Sequence, residues 1–556
     1  MAENIVGIDL GTTNSLVAVV AEGQPRVLLV DGAPLLPSVV GIDEEGQRII
    51  GQAARNQYVA APERTVRSIK RHMGQADYRA PLGASSASPE EISSWILRRL
   101  AEAAGAELGA PVTRAVITIP AYFSDRQRQA TMRAGELAGL EVVRLLHEPT
   151  AAALVYGLQR SAAETALVYD LGGGTFDVSV VELDEGITEV RASHGNRELG
   201  GDDFDALLVK ELLRQFEERH GVDLRGDRLA LARVTRAAEA AKMRLSEHAY
   251  AQVREEFVAT RGGRPLHLEA ELSREQFEQL IEPLLIGTLD SVRRALRESG
   301  LDARNLDEIL LVGGSTRIPR VRELIAAELG QEPRQELDPD QAVALGAAVQ
   351  AAVISGADVD AVLVDICPHS LGVRALSMRS GREDFNTFVP IIRRNTAIPA
   401  SRSERFYTMY EDQDTVEINV FQGEEAAATD NTHLGDLTLS RILPNPAGGP
   451  REVLVAFDYD INGILHVAAI DRRDGRREEL HLHTAALTEV DGGLPPEVTA
   501  LLGKLRALQA HLTGRPEAAG LEALLTQAAG FAPDSPALEP WQEAAAAFLF
   551  EHSPEY

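Results

Sequence analysis

One strand–turn–strand pattern occurs twice in this chain, and it limits the fold more than any other feature. "IVGIDLGTTNSLVAVV" (5–20) and "ALVYDLGGGTFDVSVV" (166–181) each place an aspartate after an apolar run, then a Gly/Thr turn, then a second apolar run. The two aspartates, Asp9 and Asp170, lie 161 residues apart. Self-similarity at such a distance is typical of a duplicated domain. We therefore predict two related halves.

A second pair of motifs supports the duplication. "HEPTAAALVYG" (147–157) and "LDPDQAVALGAAV" (337–349) each place an acid and a proline at the start of an alanine-rich helix. We predict the proline in the first helical turn, where its missing N–H does no harm. A strand-and-helix segment precedes each copy, at 114–139 and 308–330. This alternation predicts α/β sheets covered on both faces, with a cleft between the halves.

The glycine turns have the chemistry of a phosphate site. Glycine lets backbone N–H groups approach phosphate oxygens closely. Each turn joins strand to strand, whereas a Walker loop or a dinucleotide fingerprint opens a helix, so both of those sites are excluded. Two facing hairpins would instead hold a polyphosphate from both sides. Asp9 and Asp170, with Glu148 as a third acid, would then lie where a hydrated Mg²⁺ binds; a plain tight turn is the alternative.

The pattern changes after the second half. We predict an interdomain linker around "SGADVDAVLVD" (355–365) and a β-rich region that begins at residue 366, with hairpin turns at Asn462-Gly463 and Asp474-Gly475. Leucine- and alanine-rich helical segments follow "GGLPPE". The predicted divisions are 1–356 for the duplicated domain, 357–365 for the linker, 366–486 for the β-rich domain and 487–556 for a short helical tail.

Charge and composition restrict the partners. A formal net charge of -29 argues against nucleic acid and against an anionic membrane surface. No segment has 18 consecutive apolar residues and the N-terminus lacks the features of a leader, so we expect a cytoplasmic protein. Cys367 is the one cysteine, which excludes an intramolecular disulfide. Only four of the 55 basic residues are lysines, and this enriches Lys70 and Lys242 for sites that need a compact ammonium.

Nine segments together resemble a known family. They are "GIDLGTTNS", "SIKRHMG", "TIPAYFSDRQRQAT", "EPTAAALVYG", "DLGGGTFDVSV", "LGGDDFD", "AAEAAKMRLS", "LVGGSTRIP" and "DPDQAVALGAAVQAA". In this order they resemble the nucleotide-binding domain of DnaK-type (seventy-kilodalton) heat-shock chaperones, over residues 4–356. "DICPHSLGV", "YTMYEDQD" and "DYDINGIL" are similar to the HscC-type branch.

The resemblance implies a fold and a function. The fold is an α/β duplicated actin-like (ribonuclease-H-like) ATPase domain, followed by a β-sandwich peptide-binding domain and a short α-helical tail. The function is that of an ATP-dependent chaperone, a specialised one with a reduced lid, that binds extended apolar peptide segments. ATP and Mg²⁺ would occupy the cleft, with K⁺ as a further candidate ion.

The resemblance also assigns roles in the cleft. Lys70 would contact the attacking water and the γ-phosphate, Asp170 and Thr175 would orient the water, and the metal would lie near Asp9, Glu148 and Asp170. The residues implied to contact the nucleotide are Gly11, Thr12, Thr13, Asn14, Lys70, Gly172, Gly173, Gly174, Thr175, Gly200, Gly201, Glu239, Lys242, Ser246, Gly313, Gly314, Ser315, Arg317 and Asp340. Among them, Glu239, Lys242 and Ser246 would line the adenosine, with the last five residues opposite. A structural salt bridge is the alternative role for Lys70.

The β-rich domain and the linker receive roles in the same way. The implied peptide-groove residues are Val373, Leu376, Phe406, Val416, Ile418 and, as the arch residue, Met409 or Tyr410. The implied relay residues are Pro120, Arg128, Arg144, which matches a J-domain contact, and Asp365. Implied partners are unfolded polypeptide, a J-domain co-chaperone and a nucleotide-exchange factor. His147 departs from the family, which usually has asparagine there.

Two other functions share the paired phosphate hairpins. A small-molecule kinase of the actin-like fold would phosphorylate a metabolite, and a filament-forming ATPase would polymerise with ATP. Neither function needs the β-rich region after residue 366. The linker and that region therefore favour the chaperone.

Overall fold

The first strand–turn–strand repeat begins a six-stranded sheet. Its strands lie in the order β11-β10-β1-β2-β3, with β4 paired to β2. The turn at residues 10–13 joins β1 to its antiparallel partner β2. The elements of this part are β1 (Ile5–Asp9), β2 (Asn14–Ala21), β3 (Gln24–Val27), β4 (Leu36–Pro37), β5 (Val40–Ile42), β6 (Arg48–Ile50), α1 (Gln52–Gln57), β7 (Thr65–Val66), β8 (Ala80–Leu82), β9 (Ser85–Ala87), α2 (Pro89–Leu108), β10 (Arg114–Ile119), α3 (Asp125–Ala138), β11 (Glu141–His147) and α4 (Glu148–Gly157).

The second repeat lies in another six-stranded sheet, in the order β17-β12-β13-β14-β18-β21, whose last two strands come later in the chain, at Val362–Ile366 (β18) and Ala397–Ile398 (β21). The elements of the second part are β12 (Glu164–Leu171), β13 (Phe176–Asp184), β14 (Ile187–Asn196), α5 (Gly201–His220), α6 (Arg228–Glu247), β15 (Tyr250–Arg261), β16 (Arg264–Ser273), α7 (Arg274–Ser299), β17 (Glu308–Val312), α8 (Pro319–Leu329) and α9 (Ala342–Ile354). The first strand of each repeat has the same neighbours: an antiparallel hairpin partner on one side and a later, parallel strand on the other.

The two alanine-rich helices, α4 and α9, pack directly on each other. A Cβ atom at Gly346 would lie 1.8 Å from the carbonyl oxygen of Ala151, so only glycine permits this approach of the backbones. Pro149 lies in the first turn of α4, as predicted. The prediction for Pro339 is wrong, because residues 338–341 form a turn and α9 begins only at Ala342. Small residues therefore join the two halves through one tight helix pair.

The β-rich region forms two four-stranded sheets, β20-β19-β23-β24 and β22-β25-β26-β27. Their buried apolar side chains, among them Val420 and Phe457, share one core. The predicted turns at Asn462-Gly463 and Asp474-Gly475 both join antiparallel neighbours. The elements are β18 (Val362–Ile366), β19 (Leu371–Arg379), β20 (Arg382–Ile392), β21 (Ala397–Ile398), β22 (Ala400–Tyr407), β23 (Val416–Gln422), β24 (Thr432–Leu439), β25 (Glu452–Tyr459), β26 (Leu465–Ile470) and β27 (Arg477–Leu480).

The structure is a computed structural model that describes residues 5–158, 162–184, 186–334, 338–357, 359, 361–379 and 382–480. All of them belong to one compact unit, Met1–Leu482. The predicted helical tail, 487–556, and the last residues of the predicted β-rich domain lie outside the described residues. In the described part of the chain, every helix is too short or too polar to cross a membrane.

Candidate functional site

The ends of both repeats line one cleft of about 490 Å³. β1 and β2 contribute one wall through their turn, and the turn between β12 and β13 contributes another. Every residue predicted to contact nucleotide or metal lines this cleft except Gly174 and Gly200. Elements far apart in the chain supply the remaining walls: the short turn around Lys70, the start of α4, helix α6 and the loop after β17. The structure therefore brings the predicted set together.

The two glycine turns approach each other at the base of the cleft. A Cβ atom at Gly173 would lie 2.0 Å from Thr13 Oγ1, so a side chain at this position would displace Thr13. Gly200 supports the same turn from behind, since a Cβ atom there would lie 2.5 Å from the Gly173 carbonyl carbon and the Gly174 nitrogen. Such close backbone approach exposes N–H groups to an anion. The turns have the geometry of a two-sided phosphate clamp.

Carboxylates surround the base of the cleft. Lys70 Nζ donates a hydrogen bond of 2.5 Å to Glu148 Oε1, and both side chains are buried. Thr118 Oγ1 donates to Asp9 Oδ1 at 3.1 Å. Burial, reinforced by the charge of Glu148, raises the pKa of Asp9 to about 7. The same two causes raise the pKa of Asp170 well above its ordinary value.

This set of acids fits a hydrated magnesium ion. Among the described residues, no three histidine, cysteine or acidic side chains are close enough together to coordinate one ion directly. Mg²⁺ usually keeps several waters and takes only one or two carboxylates beside phosphate oxygens. Burial, followed by the charge of Glu148, raises the pKa of Asp9 and of Asp170, and a divalent cation nearby would offset both causes. Asp9, Glu148 and Asp170 are therefore suited to hold Mg²⁺ through its waters.

Asp177 is a fourth acid of this region that the sequence reasoning missed. It lies directly opposite Asp170 in the β12–β13 hairpin. Its carboxylate accepts a hydrogen bond of 3.1 Å from the backbone N–H of Tyr122, and burial followed by the charge of Glu148 raises its pKa to about 7. The hairpin register was the available signal, because a four-residue turn after Leu171 pairs residue 170 with residue 177.

The predicted adenosine-side residues form a charged network. Lys242 Nζ donates to Asp205 Oδ2 at 2.8 Å and to the carbonyl oxygen of Gly201 at 3.0 Å. Across the cleft, Arg317 donates to Asp340 at 2.7 Å. Arg55, which the sequence reasoning did not select, donates to Glu239 at 2.7 Å. The network holds α6 against the neighbouring elements and leaves the cleft open between them.

The segment predicted as a linker continues the second sheet. β18 runs parallel to β14, with Val362 opposite Ile187. Asp365, at its buried end, lies against the other half, where His147 Nδ1 is 2.9 Å from Asp365 Oδ1. Burial lowers the pKa of His147, which favours a neutral ring that donates from Nδ1 to the carboxylate. The histidine that departs from the family is thus a direct partner of the linker.

Two predicted relay residues, Pro120 and Arg128, lie near the contact between His147 and Asp365. Arg128 is buried and donates a hydrogen bond of 3.2 Å to the carbonyl oxygen of Ala121. Pro120 directly precedes Ala121 in the chain. The charge of Asp365 acts on the buried Arg144 guanidinium and opposes the pKa decrease that burial causes. The four predicted relay residues therefore lie in one region, beside the cleft and the linker.

The β-rich region contacts both halves of the duplicated domain through several pairs. Asn462 Oδ1 accepts a hydrogen bond of 3.0 Å from Leu145 N. Arg394 forms an ion pair with Glu298, and His369 Nε2 lies 3.3 Å from the carbonyl oxygen of Tyr122. The sequence predicted a hairpin turn at Asn462, but it assigned no contact between the domains to any of these six residues. The structure therefore represents a state in which the β-rich region is docked.

His369 predicts a pH dependence. Burial lowers the pKa of His369 to about 3, against about 6.5 for a free histidine. Between pH 6.5 and pH 3 the unfolded state binds a proton at this histidine that the folded state does not bind. The free energy of unfolding therefore decreases as the pH falls through this range. At pH 5.5 we expect this effect to have lowered the free energy of unfolding of the protein by about 1.4 kcal/mol. Urea unfolding midpoints at pH 7.5 and 5.5 measure this change in stability. The midpoint should fall less between these pH values in His369→Gln than in the unmodified protein, and equal decreases would contradict the prediction.

The predicted groove residues lie in different environments. Val373 and Ile418 are buried in the core between the two β-rich sheets, and Phe406 and Val416 pack against that core. Leu376, Met409 and Tyr410 are exposed. Val373 and Ile418 are therefore covered in this docked state. The groove assignment stays a prediction.

A comparison with protein families gives a match over most of the chain. The sequence model of the family described as "Hsp70 protein" matches residues 5–491. The match covers both repeats, the linker and the β-rich region. Members of this family are ATP-dependent chaperones that bind unfolded peptides and hydrolyse ATP with Mg²⁺.

Proposed function

The chain belongs to the Hsp70 family, and on that premise we propose that it binds ATP–Mg²⁺ in the described cleft and couples hydrolysis to peptide binding. One observation supports this most strongly: the two glycine turns, the buried Lys70–Glu148 pair and the acids all line one cleft. The linker strand β18, which pairs with β14 of the second sheet and leads into the β-rich region, would supply the coupling.

Hydrolysis would be phosphoryl transfer to water. Positioning and charge neutralisation dominate that reaction, with little covalent chemistry for the protein. Mg²⁺ would neutralise phosphate charge near Asp9, Glu148 and Asp170. Lys70 would stabilise charge that develops on the γ-phosphate, while Asp170 and Thr175 would orient the water. Thr12 and Thr13 would hold the phosphates from the opposite turn.

The peptide site would be the β-rich region, 366–486, in which an extended apolar segment pairs main chain to main chain. Val373 and Ile418 would have to become accessible through a rearrangement within the β-rich region, because they are buried in the core between its two sheets. Nucleotide can change peptide affinity only if it favours one of the two states. The contacts of His147, Asn462 and Arg394 would be those that differ between the docked and undocked states.

The finer features belong to the same proposal. We assign the chain to the HscC-type branch, with a short helical tail as a reduced lid, in the cytoplasm. Its partners would be a J-domain co-chaperone that acts near Arg144 and a nucleotide-exchange factor; K⁺ would be an accessory ion. A small-molecule kinase or a filament-forming ATPase would leave the docked β-rich region unexplained.

Peptide affinity in the two nucleotide states tests the proposal. We expect the full chain to bind a fluorescent extended apolar peptide at least about tenfold more weakly with ATP than with ADP, a typical coupling energy. Asp365→Asn should reduce this ratio, because it removes the charged partner of His147 in the linker contact. The exposed Asp430→Asn is the matched control and should keep it. Equal affinities in ATP and ADP for the unmodified protein would overturn the coupling and leave the ATPase standing.

A further inference from the structure

A second cavity, of about 370 Å³, adjoins the nucleotide cleft. We call it the annex. Four residues line both cavities, so the annex continues the cleft: Thr12, Thr13, Arg55 and Glu239. Glu239 is also a predicted adenosine contact. The annex therefore opens between the predicted phosphate contacts Thr12 and Thr13 and the predicted adenosine contact Glu239, which is where the sugar of a bound nucleotide would lie.

Three arginines line the annex: Arg55, Arg67 and Arg236. Glu239 is the one acidic residue in that lining. Arg236 donates to Glu255 at 2.7 Å, and that acid lies outside the lining. The described lining thus carries a net positive charge, in a protein whose formal net charge is -29.

Arg67 has N–H donors for which the described residues supply no acceptor within hydrogen-bond distance. The nearest carboxylate oxygens, of Glu239 and Asp202, are 3.7 and 3.8 Å from its guanidinium nitrogens. Both distances exceed hydrogen-bond reach, and the guanidinium also lies 5.5 Å from the ring of Tyr58. Its side chain is only 23% exposed. A largely buried guanidinium with unused donors is a favourable partner for an anion, because charge-assisted hydrogen bonds to oxygen anions are strong.

We propose that the annex binds a phosphate group beside the sugar of the bound nucleotide, with Arg67 as its main donor. The inference rests on the proposed nucleotide site, since Glu239 joins the two cavities. Phosphate chemistry fits because a guanidinium offers paired N–H groups to two oxygens of one phosphate. The phosphate comes either from the nucleotide itself, on a sugar hydroxyl, or from a free ion bound with the nucleotide.

Calorimetric titration of the full chain distinguishes these sources. One arm compares ADP with adenosine 3′-phosphate 5′-diphosphate, and the other adds inorganic phosphate to the ADP complex. We expect one of the two probes to bind with an affinity that the additional phosphate increases. Arg67→Gln should reduce this gain in affinity by about 10- to 100-fold, the value of a hydrogen bond to a charged group. Arg67→Lys keeps the charge and should retain part of it.

Arg64→Gln is the matched control. Arg64 lies three residues upstream, outside the annex, with its carboxylate partners Glu44 and Glu63 both at 3.7 Å. It should keep the full gain. A gain with the 3′-phosphate assigns a sugar-linked group, and a gain with inorganic phosphate assigns a free ion. No gain with either probe, or equal gains in the unmodified protein and Arg67→Gln, overturns the annex and leaves ADP binding intact. Absence of ADP binding would overturn the proposed nucleotide site and the annex with it.

Discussion

Lys70→Ala should lower the rate of ATP hydrolysis by about 100- to 1,000-fold, the usual cost of removing one preorganised charge-stabilising donor. Lys70 is buried at the base of the cleft, where its ammonium is bonded to Glu148. The compact ammonium would meet charge that develops on the phosphate only in the transition state. We therefore expect the loss in kcat, measured by single-turnover phosphate release, with nucleotide affinity changed much less.

Lys210→Ala is the matched control, since Lys210 is one of the four lysines and lies exposed on α5. It should hydrolyse ATP at the rate of the unmodified protein. If Lys70 were only a structural partner of Glu148, its removal would leave a buried carboxylate unpaired and lower the melting temperature. A variant that unfolds early but hydrolyses ATP normally below that temperature would contradict the catalytic role.

Gly200→Ala should weaken ADP binding by about 10- to 100-fold, because the displaced turn would lose hydrogen bonds to the charged phosphates. The backbone of Gly200 is extended, so strain is not the reason. The new Cβ atom would lie 2.5 Å from backbone atoms of Gly173 and Gly174, which side-chain rotation cannot relieve. The phosphate turn must therefore move. Calorimetric titration with ADP measures the change.

Gly287→Ala is the control for the same substitution. Gly287 lies inside helix α7, and a Cβ atom there meets no other atom within 4 Å. Alanine at an open helical position should stabilise the fold by about 0.5–1 kcal/mol and leave ADP affinity unchanged. Normal ADP affinity in Gly200→Ala would show that the turn between β12 and β13 does not bind phosphate.

The sequence predicted the cleft better than the β-rich region. Both glycine turns, their strands and the helix after Glu148 follow from local patterns, and the structure contains them where predicted. The prediction that Pro339 lies in the first turn of α9 was wrong, because residues 338–341 form their own turn before the helix. In the β-rich region, apolar alternation predicts strands but does not tell a covered face from an exposed one. Val373 and Leu376 show the limit, since one is buried and the other exposed.

The repeat of Asp9 and Asp170 in the same local pattern is a property of the sequence by itself, because a hairpin turn and its flanking strands depend on residues close together in the chain. The pairing of His147 with Asp365 joins residues that are 218 positions apart, and the ion pair of Arg55 with Glu239 spans 184. Only the tertiary structure decides such contacts, because they depend on how whole sheets and helices pack. The phosphate chemistry of the turns could therefore be predicted from the sequence. The linker contact and the annex around Arg67 required the fold.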